Sequence, residues 1–202
     1  MKEIALYTLD IAQNSITAQA KRLDITLTED EAAIVLTIAD DGTGMSPELL
    51  ARVSDPFTTT RTTRKMGLGI PLLRMAAEQT GGSLSIESAL GVGTTVTAVF
   101  RPTHIDCPPA GDMAGTITLL IQGAPELELH YTHRRGEALS RLDTRELRAA
   151  LGPEISLAEP EIILWLQDYL QEQEAQLREQ EGLVHEKPSG TAGHPGQDAP
   201  AD

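Results

Sequence analysis

Four stretches between residues 23 and 100 constrain this chain most. Leu23 to Thr28, Ala33 to Ala39, Ser83 to Ser88 and Thr94 to Phe100 alternate apolar and polar side chains. A strand with that period buries one face and wets the other. Four such strands therefore need a layer of helices on one side only. The helical spacing is present: Ile4, Leu6, Leu9, Ile11, Ala12 and Ile16 recur through residues 3–20, and Ile70, Leu73 and Ala77 through 68–80. Ser46, followed by Pro47, caps a short helix through Val53, and Gly81-Gly82 ends the one before the third strand. The expected fold is α+β, a two-layer sandwich of a mixed, mostly antiparallel sheet and helices. With aromatic residues at 3%, its core must be aliphatic.

Charge divides the chain in two. Residues 1–101 hold nine basic and twelve acidic side chains, a net of −3; residues 102–202 hold seven and eighteen, a net of −11. The Pro-rich segment 102–111 falls at that boundary and reads as a linker. The expected organisation is one domain over 1–101, a small α/β unit over 112–182 ending in a long helix, and a disordered tail over 183–202, poor in large apolar residues. A total of −14 argues against nucleic acid or an anionic membrane as partner. The single Cys107 excludes an internal disulfide framework. The longest apolar runs, such as Ile162 to Leu166, are too short to span a bilayer, and a cytoplasmic protein is expected.

Four places in the first unit carry chemistry. Asp10 and Asn14 are one helical turn apart and share a face. An Asn oxygen suits magnesium, and a carboxylate beside it can orient or deprotonate a nucleophile. Asp40-Asp41-Gly42-Thr43-Gly44 ends a strand. Its first carboxylate can accept from an exocyclic amine such as that of adenine, and Gly42 and Gly44 let backbone approach a flat ligand. Thr58, Thr59, Arg61, Arg64 and Lys65 lead into Gly67-Leu68-Gly69 at a helix start, a suitable phosphate cradle. Gly91-Val92-Gly93-Thr94 opens the last strand. Each alone is also what a turn or a solvated face looks like.

Their order and spacing together resemble the ATP-binding domain of the GHKL superfamily (Bergerat fold), shared by gyrase, chaperone and mismatch-repair ATPases and histidine kinases. Asp10-x-x-x-Asn14 is similar to its asparagine box, Asp40-x-Gly42-x-Gly44 to its first glycine box, Asp55-Pro56-Phe57 to its phenylalanine box and Gly67-x-Gly69 to its second glycine box. Gly81-Gly82 and Gly91-x-Gly93-Thr94 are similar to its last segment. The resemblance covers 1–101 and is nearest to sensor histidine kinases. It implies that Asn14 coordinates Mg2+, that Asp40 recognises adenine with Thr94 assisting through water, and that residues 55–69 form a lid over the phosphates. Asp10, where histidine kinases often carry Asn, keeps a general-base role open. With the asparagine-box helix beginning near residue 3, no sensor or dimerisation helices are expected ahead of it. The arrangement also resembles stand-alone ATP-binding proteins of anaerobic bacteria.

The second half says less. Asp112 to Gln122 fits helix or strand. Leu127, Leu129 and Tyr131 alternate as a strand, Arg134 to Glu137 turns into a second over Ala138 to Leu142, and Asp143 or Thr144 caps a helix to near Gly152. Pro160 opens a long helix to about Glu181, whose Ile163, Leu166, Leu170 and Leu177 stripe is expected to dock on the core, with homodimerisation through it the lesser reading. His130 and His133 are expected on opposite strand faces and solvent-exposed, and His185-Glu186-Lys187-Pro188 lacks the context of a phospho-acceptor. The reading favours a Mg2+-dependent kinase that passes the γ-phosphate of ATP to a regulatory partner protein, with Asp10, Asn14 and Arg61 catalytic. A nucleotide-switched binding module or slow ATPase is the alternative.

Overall fold

The computed structural model describes residues 3–54 and 69–185. In chain order it contains α1 (Ile4–Thr17), β1 (Arg22–Glu29), β2 (Ile34–Asp40), α2 (Pro47–Ser54), α3 (Gly69–Gln79), β3 (Ser83–Ala89), β4 (Gly93–Phe100), α4 (Met113–Gly123), β5 (Glu128–Arg135), β6 (Ala138–Asp143), α5 (Thr144–Leu151) and α6 (Pro160–His185). The strands form one six-stranded sheet in the order β3-β4-β2-β1-β5-β6. All neighbours are antiparallel except β1 and β5, which run parallel from Arg22 opposite Glu128 to Glu29 opposite Arg135. The fold is the expected α+β sandwich with a mixed, mostly antiparallel sheet.

The period-two pattern does what it dictates. Leu23, Ile25 and Leu27 of β1, Leu36 and Ile38 of β2, Ala98 and Phe100 of β4, and Leu129 and Tyr131 of β5 are all at most 1% exposed. Against them pack Ile4, Ile11 and Ala12 of α1, Leu73 and Ala77 of α3, Ile117 and Leu120 of α4, and Leu166 and Leu170 of α6. At roughly 1.5–3 kcal/mol per fully buried large aliphatic side chain, this layer supplies most of the driving force.

Residues 112–182 are not a free-standing unit in the structure. Their hairpin continues the sheet of the first half through the β1–β5 ladder, and α4 and α6 share its core. Nor is 102–111 a free tether. Glu3, the residue preceding α1, makes no side-chain cap; instead the Pro109 and Ala110 carbonyls accept the Ile4 and Ala5 amides at 2.9 Å. That satisfies two of the orphan donors of a helix start. Asp112 resolves the open choice for the next segment: it caps α4 by accepting from Gly115 N–H at 2.8 Å. The β-branched Thr118 is tolerated there because its hydroxyl bonds back to the Ala114 carbonyl. The long helix docks on the core as expected, Leu166, Leu170 and Leu177 being at most 3% exposed, and it continues to His185.

His133 overturns the expectation of a solvated histidine. It is 2% exposed and lies between two carboxylates, Nε2 2.7 Å from Glu29 and Nδ1 2.9 Å from both oxygens of Glu174. The Tyr131 hydroxyl donates to Glu174 at 2.8 Å. The strand alternation is right, but the inner face it assigns to His133 is covered by α6, which brings Glu174. Burial works against the imidazolium, yet the hydrogen bonds and charges of Glu174 and Glu29 outweigh it and raise the His133 pKa to about 9. Burial raises the Glu29 pKa, and the bond to His133, with Arg135 and Arg178 near, outweighs this and lowers it overall.

A group whose folded pKa is raised stabilises the fold fully below its unfolded pKa and loses that contribution as pH rises through the folded value. His133 therefore makes the unfolding free energy from urea titrations fall between about pH 6.5 and pH 9, by up to about 3 kcal/mol at 1.36 kcal/mol per unit. His133→Phe leaves two facing buried carboxylates, and a loss of about 3–5 kcal/mol at pH 7 is expected. Below about pH 6 the His133 contribution of the wild type is already complete, whereas the variant continues to gain stability on acidification from about pH 6 to about pH 5 as its facing carboxylates take up protons. A variant with the wild-type pH profile would refute this role.

Candidate functional site

The loop after β2 is built around Asp40. Its Oδ1 accepts the Gly42 N–H at 2.9 Å and its Oδ2 accepts the Ser15 hydroxyl at 2.6 Å. Ser15 lies on α1, one residue beyond Asn14, and is 3% exposed. The carboxylate is thus clamped between a helix and its own turn, with lone pairs left on both oxygens. Asp41 does a different job: its Oδ1 accepts the Lys21 and Arg22 amides at 2.7 and 2.8 Å, holding the start of β1.

Glycine lets neighbouring backbones close on the loop that begins at Asp40. Gly44 has φ +64° and Gly93 φ +125°. A Cβ on Gly44 would collide with the Ala89 carbonyl, and one on Gly93 with the Asp40 carbonyl. The Gly91 N–H donates to the Thr43 carbonyl at 2.9 Å and the Thr43 N–H to the Ala18 carbonyl at 2.9 Å, tying the β3–β4 hairpin and the end of α1 to the same loop. Thr94 stands directly opposite Asp40 in the β2–β4 ladder. Its hydroxyl shares a 2.8 Å bond with that of Ser88, which also donates to the Gly93 carbonyl and accepts the Met45 N–H, both at 2.9 Å.

Asp10 and Asn14 fall on one side of α1, Asp10 exposed and Asn14 half-buried. Gly69, the first residue of α3, is buried against Asp10; a Cβ there would come within 2.9 Å of the Asp10 Cβ. The amide-rich, partly positive end of α3 therefore abuts the Asp10 turn. Among the described residues no three His, Cys, Asp or Glu side chains gather as a metal cage. Asn14 and Asp10 supply hard oxygens of the kind that hold a magnesium ion bound mainly by phosphate and water. They fit such an ion, but not one held by protein alone.

Asp10, Asn14, Asp40, Gly42, Gly44, Gly69 and Thr94 are thus placed on neighbouring elements: α1, the loop after β2, the start of α3 and the start of β4. Thr58, Thr59, Arg61, Arg64, Lys65, Gly67 and Leu68, with the Asp55-Pro56-Phe57 box, lie outside the described residues. Sequence reasoning missed Ser15 and Ser88. Ser15 had a signal: the helical stripe Ile4, Ile11, Ala12 puts a small polar side chain on the buried face beside Asn14. Ser88 had none, since only the β3–β4 register reveals it.

Gly44→Ala is expected to cost at least about 2 kcal/mol in urea denaturation, from a left-handed φ plus a backbone collision. Gly91→Ala shares the positive φ (+72°) but meets no atom within 4 Å, so about 1 kcal/mol is expected. Equal losses would contradict the close approach at Gly44.

Residues 3–104 match the family described as Histidine kinase-, DNA gyrase B-, and HSP90-like ATPase. The chain is also similar to the Sensor protein SrrB of Staphylococcus aureus strains NCTC 8325 / PS 47 and COL, 39% identical over 84 residues in each. That alignment takes in 39% of this chain and 14% of the relative, so only a small part of the sensor protein is matched. No helix among the described residues is long and apolar enough to cross a membrane. The matched half of the sequence, with its sheet, its Asp40 loop and its glycine contacts, is a histidine kinase-like ATPase domain, and the chain belongs to that family.

Proposed function

We propose that the chain binds ATP with Mg2+ between α1, the Asp40 loop and the start of α3, and transfers the γ-phosphate to a cytoplasmic regulatory partner. The observation that carries this reading is Asp40, a carboxylate held from two sides by Ser15 and Gly42 and walled by glycine backbone. A flat base edge with an exocyclic amine fits such an acceptor, and the fixed carboxylate has no rotamer freedom left to lose on binding. Ser88 and Thr94 form the adjoining polar floor. Asn14 would hold the ion, which supplies charge neutralisation at the phosphates. Asp10, exposed one turn from Asn14, would orient or deprotonate a nucleophile, and Arg61, Arg64 and Lys65 are the cations proposed for the transferred group.

The kinase reading extends from family membership to an acceptor on another protein, so the experiment must separate the two. Calorimetric ATP titration with Mg2+ is expected to give saturable binding. Asp40→Asn is expected to abolish it, and Ser15→Ala to weaken it about tenfold or more, the size of one hydrogen bond to a charged group. With γ-labelled ATP and a lysate, acid-labile label on one protein, absent with Asn14→Ala, supports phosphotransfer. Free phosphate alone supports an ATPase, and binding without either product a nucleotide-switched module. Undiminished affinity in Asp40→Asn would overturn the placement of the base.

A further inference from the structure

The outer face of α6 combines exposed apolar and acidic side chains. Its core stripe of Leu166, Leu170, Glu174 and Leu177 is buried. On the opposite side of the helix stand Glu161, Leu164, Trp165, Asp168 and Glu172, at the spacing that puts them on one face, with the half-buried Tyr169 at its edge against the core. Leu164 is 63% exposed and Trp165, the only tryptophan of the chain, 51%. The indole stacks on Tyr169, ring centroids 5.4 Å apart and planes 13° from parallel, so the aromatic surface is held in place before any partner arrives. Along it the carboxylates of Glu161, Asp168 and Glu172 are all exposed. No lysine or arginine occurs from residue 149 to 177, so these acids have no cation on their own helix turn or the loop before it.

We propose that this face of α6 is a docking site for a basic, amphipathic segment of another protein. Exposed aromatic side chains bounded by charge are what interfaces use as anchors. Here arginines on the incoming segment would pair with Asp168, Glu172 and Glu161 and stack over the indole, while its apolar residues cover Leu164. A second copy of this chain is the wrong occupant: it would oppose the same row of carboxylates, on a molecule of net charge −14.

The test uses the full chain and a labelled helical peptide of leucine and arginine, roughly five turns long. Its controls replace arginine by glutamate or leucine by serine. Saturable binding of the leucine–arginine peptide, a shift of Trp165 emission, and weaker binding by both controls are expected. Trp165→Ala, which keeps every charge, is expected to lose about tenfold in affinity. Asp168→Lys with Glu172→Lys, which keeps the aromatics, is expected to lose at least as much. Circular dichroism melts confirm that both fold. Absence of binding, or equal affinity of wild type and Trp165→Ala, would overturn the proposal, the latter showing general attraction to an acidic protein. Concentration-dependent dimer mass that Trp165→Ala removes would overturn it in favour of a second copy.

Discussion

The structure depends on the parallel ladder between β1 and β5. β1 is hydrogen-bonded on both sides, antiparallel to β2 and parallel to β5, and its Leu23, Ile25 and Leu27 lie under the helices at 0% exposure. A parallel neighbour needs a crossover. Here the whole stretch from β2 to α4 makes it, and the last step is α4, whose Ile117 and Leu120 pack into the same core. Because β5 pairs along its whole length with β1, the acidic half of the chain is stabilised by the half that carries the candidate site. The carbonyls of Pro109 and Ala110 that accept the first α1 amides reinforce this coupling from the other direction.

This explains which parts were legible in the residues. The four strands of the first half alternate cleanly because one face is wet, and their ends were read to within a residue or so. The long helix was read from its leucine stripe. The joining of the halves was not legible, because strand pairing between Arg22–Glu29 and Glu128–Arg135 leaves no mark in either segment. Both look like half-buried strands, and the Pro-rich segment between them looks like a tether. His133 failed for the same reason. Its alternation gave the correct face, but nothing local says that α6 will carry Glu174 onto it.

In the candidate site the residues that were legible are those with unusual chemistry at fixed spacing: Asp10 and Asn14 on one turn, and Asp40 ahead of two glycines. The supporting hydroxyls were not, because Ser15 and Ser88 act through contacts 25 and 43 residues away in sequence. Such positioning groups are ordinary residues made specific by topology. The glycines show the complement of this. Gly44 and Gly93 read as turn residues, yet what requires them is the carbonyl of a different strand lying where a Cβ would be.

The two polar clusters sit at opposite ends of β1, and that separation has a physical reason. Asp40 faces Leu23 at one end of the β1–β2 ladder and Glu29 faces Ile34 at the other, roughly 20 Å apart at the rise of a strand. Between them the inner-face side chains of β1 and β2 are all aliphatic, Leu23, Ile25 and Leu27 with Leu36 and Ile38, so no polar side chain of these two strands bridges the clusters. The Glu29–His133–Glu174 group costs much of what it returns, since burying its charges opposes their pairing. Its value lies in specificity: only one register of β5 on β1, and one rotation of α6, brings both carboxylates to one imidazole. A slip of one residue would turn His133 to the outer face and leave Glu174 buried without it. The apolar layer favours compact packing in general, whereas this charged clasp selects one arrangement, and so fixes which face of α6, with Trp165, is left outside.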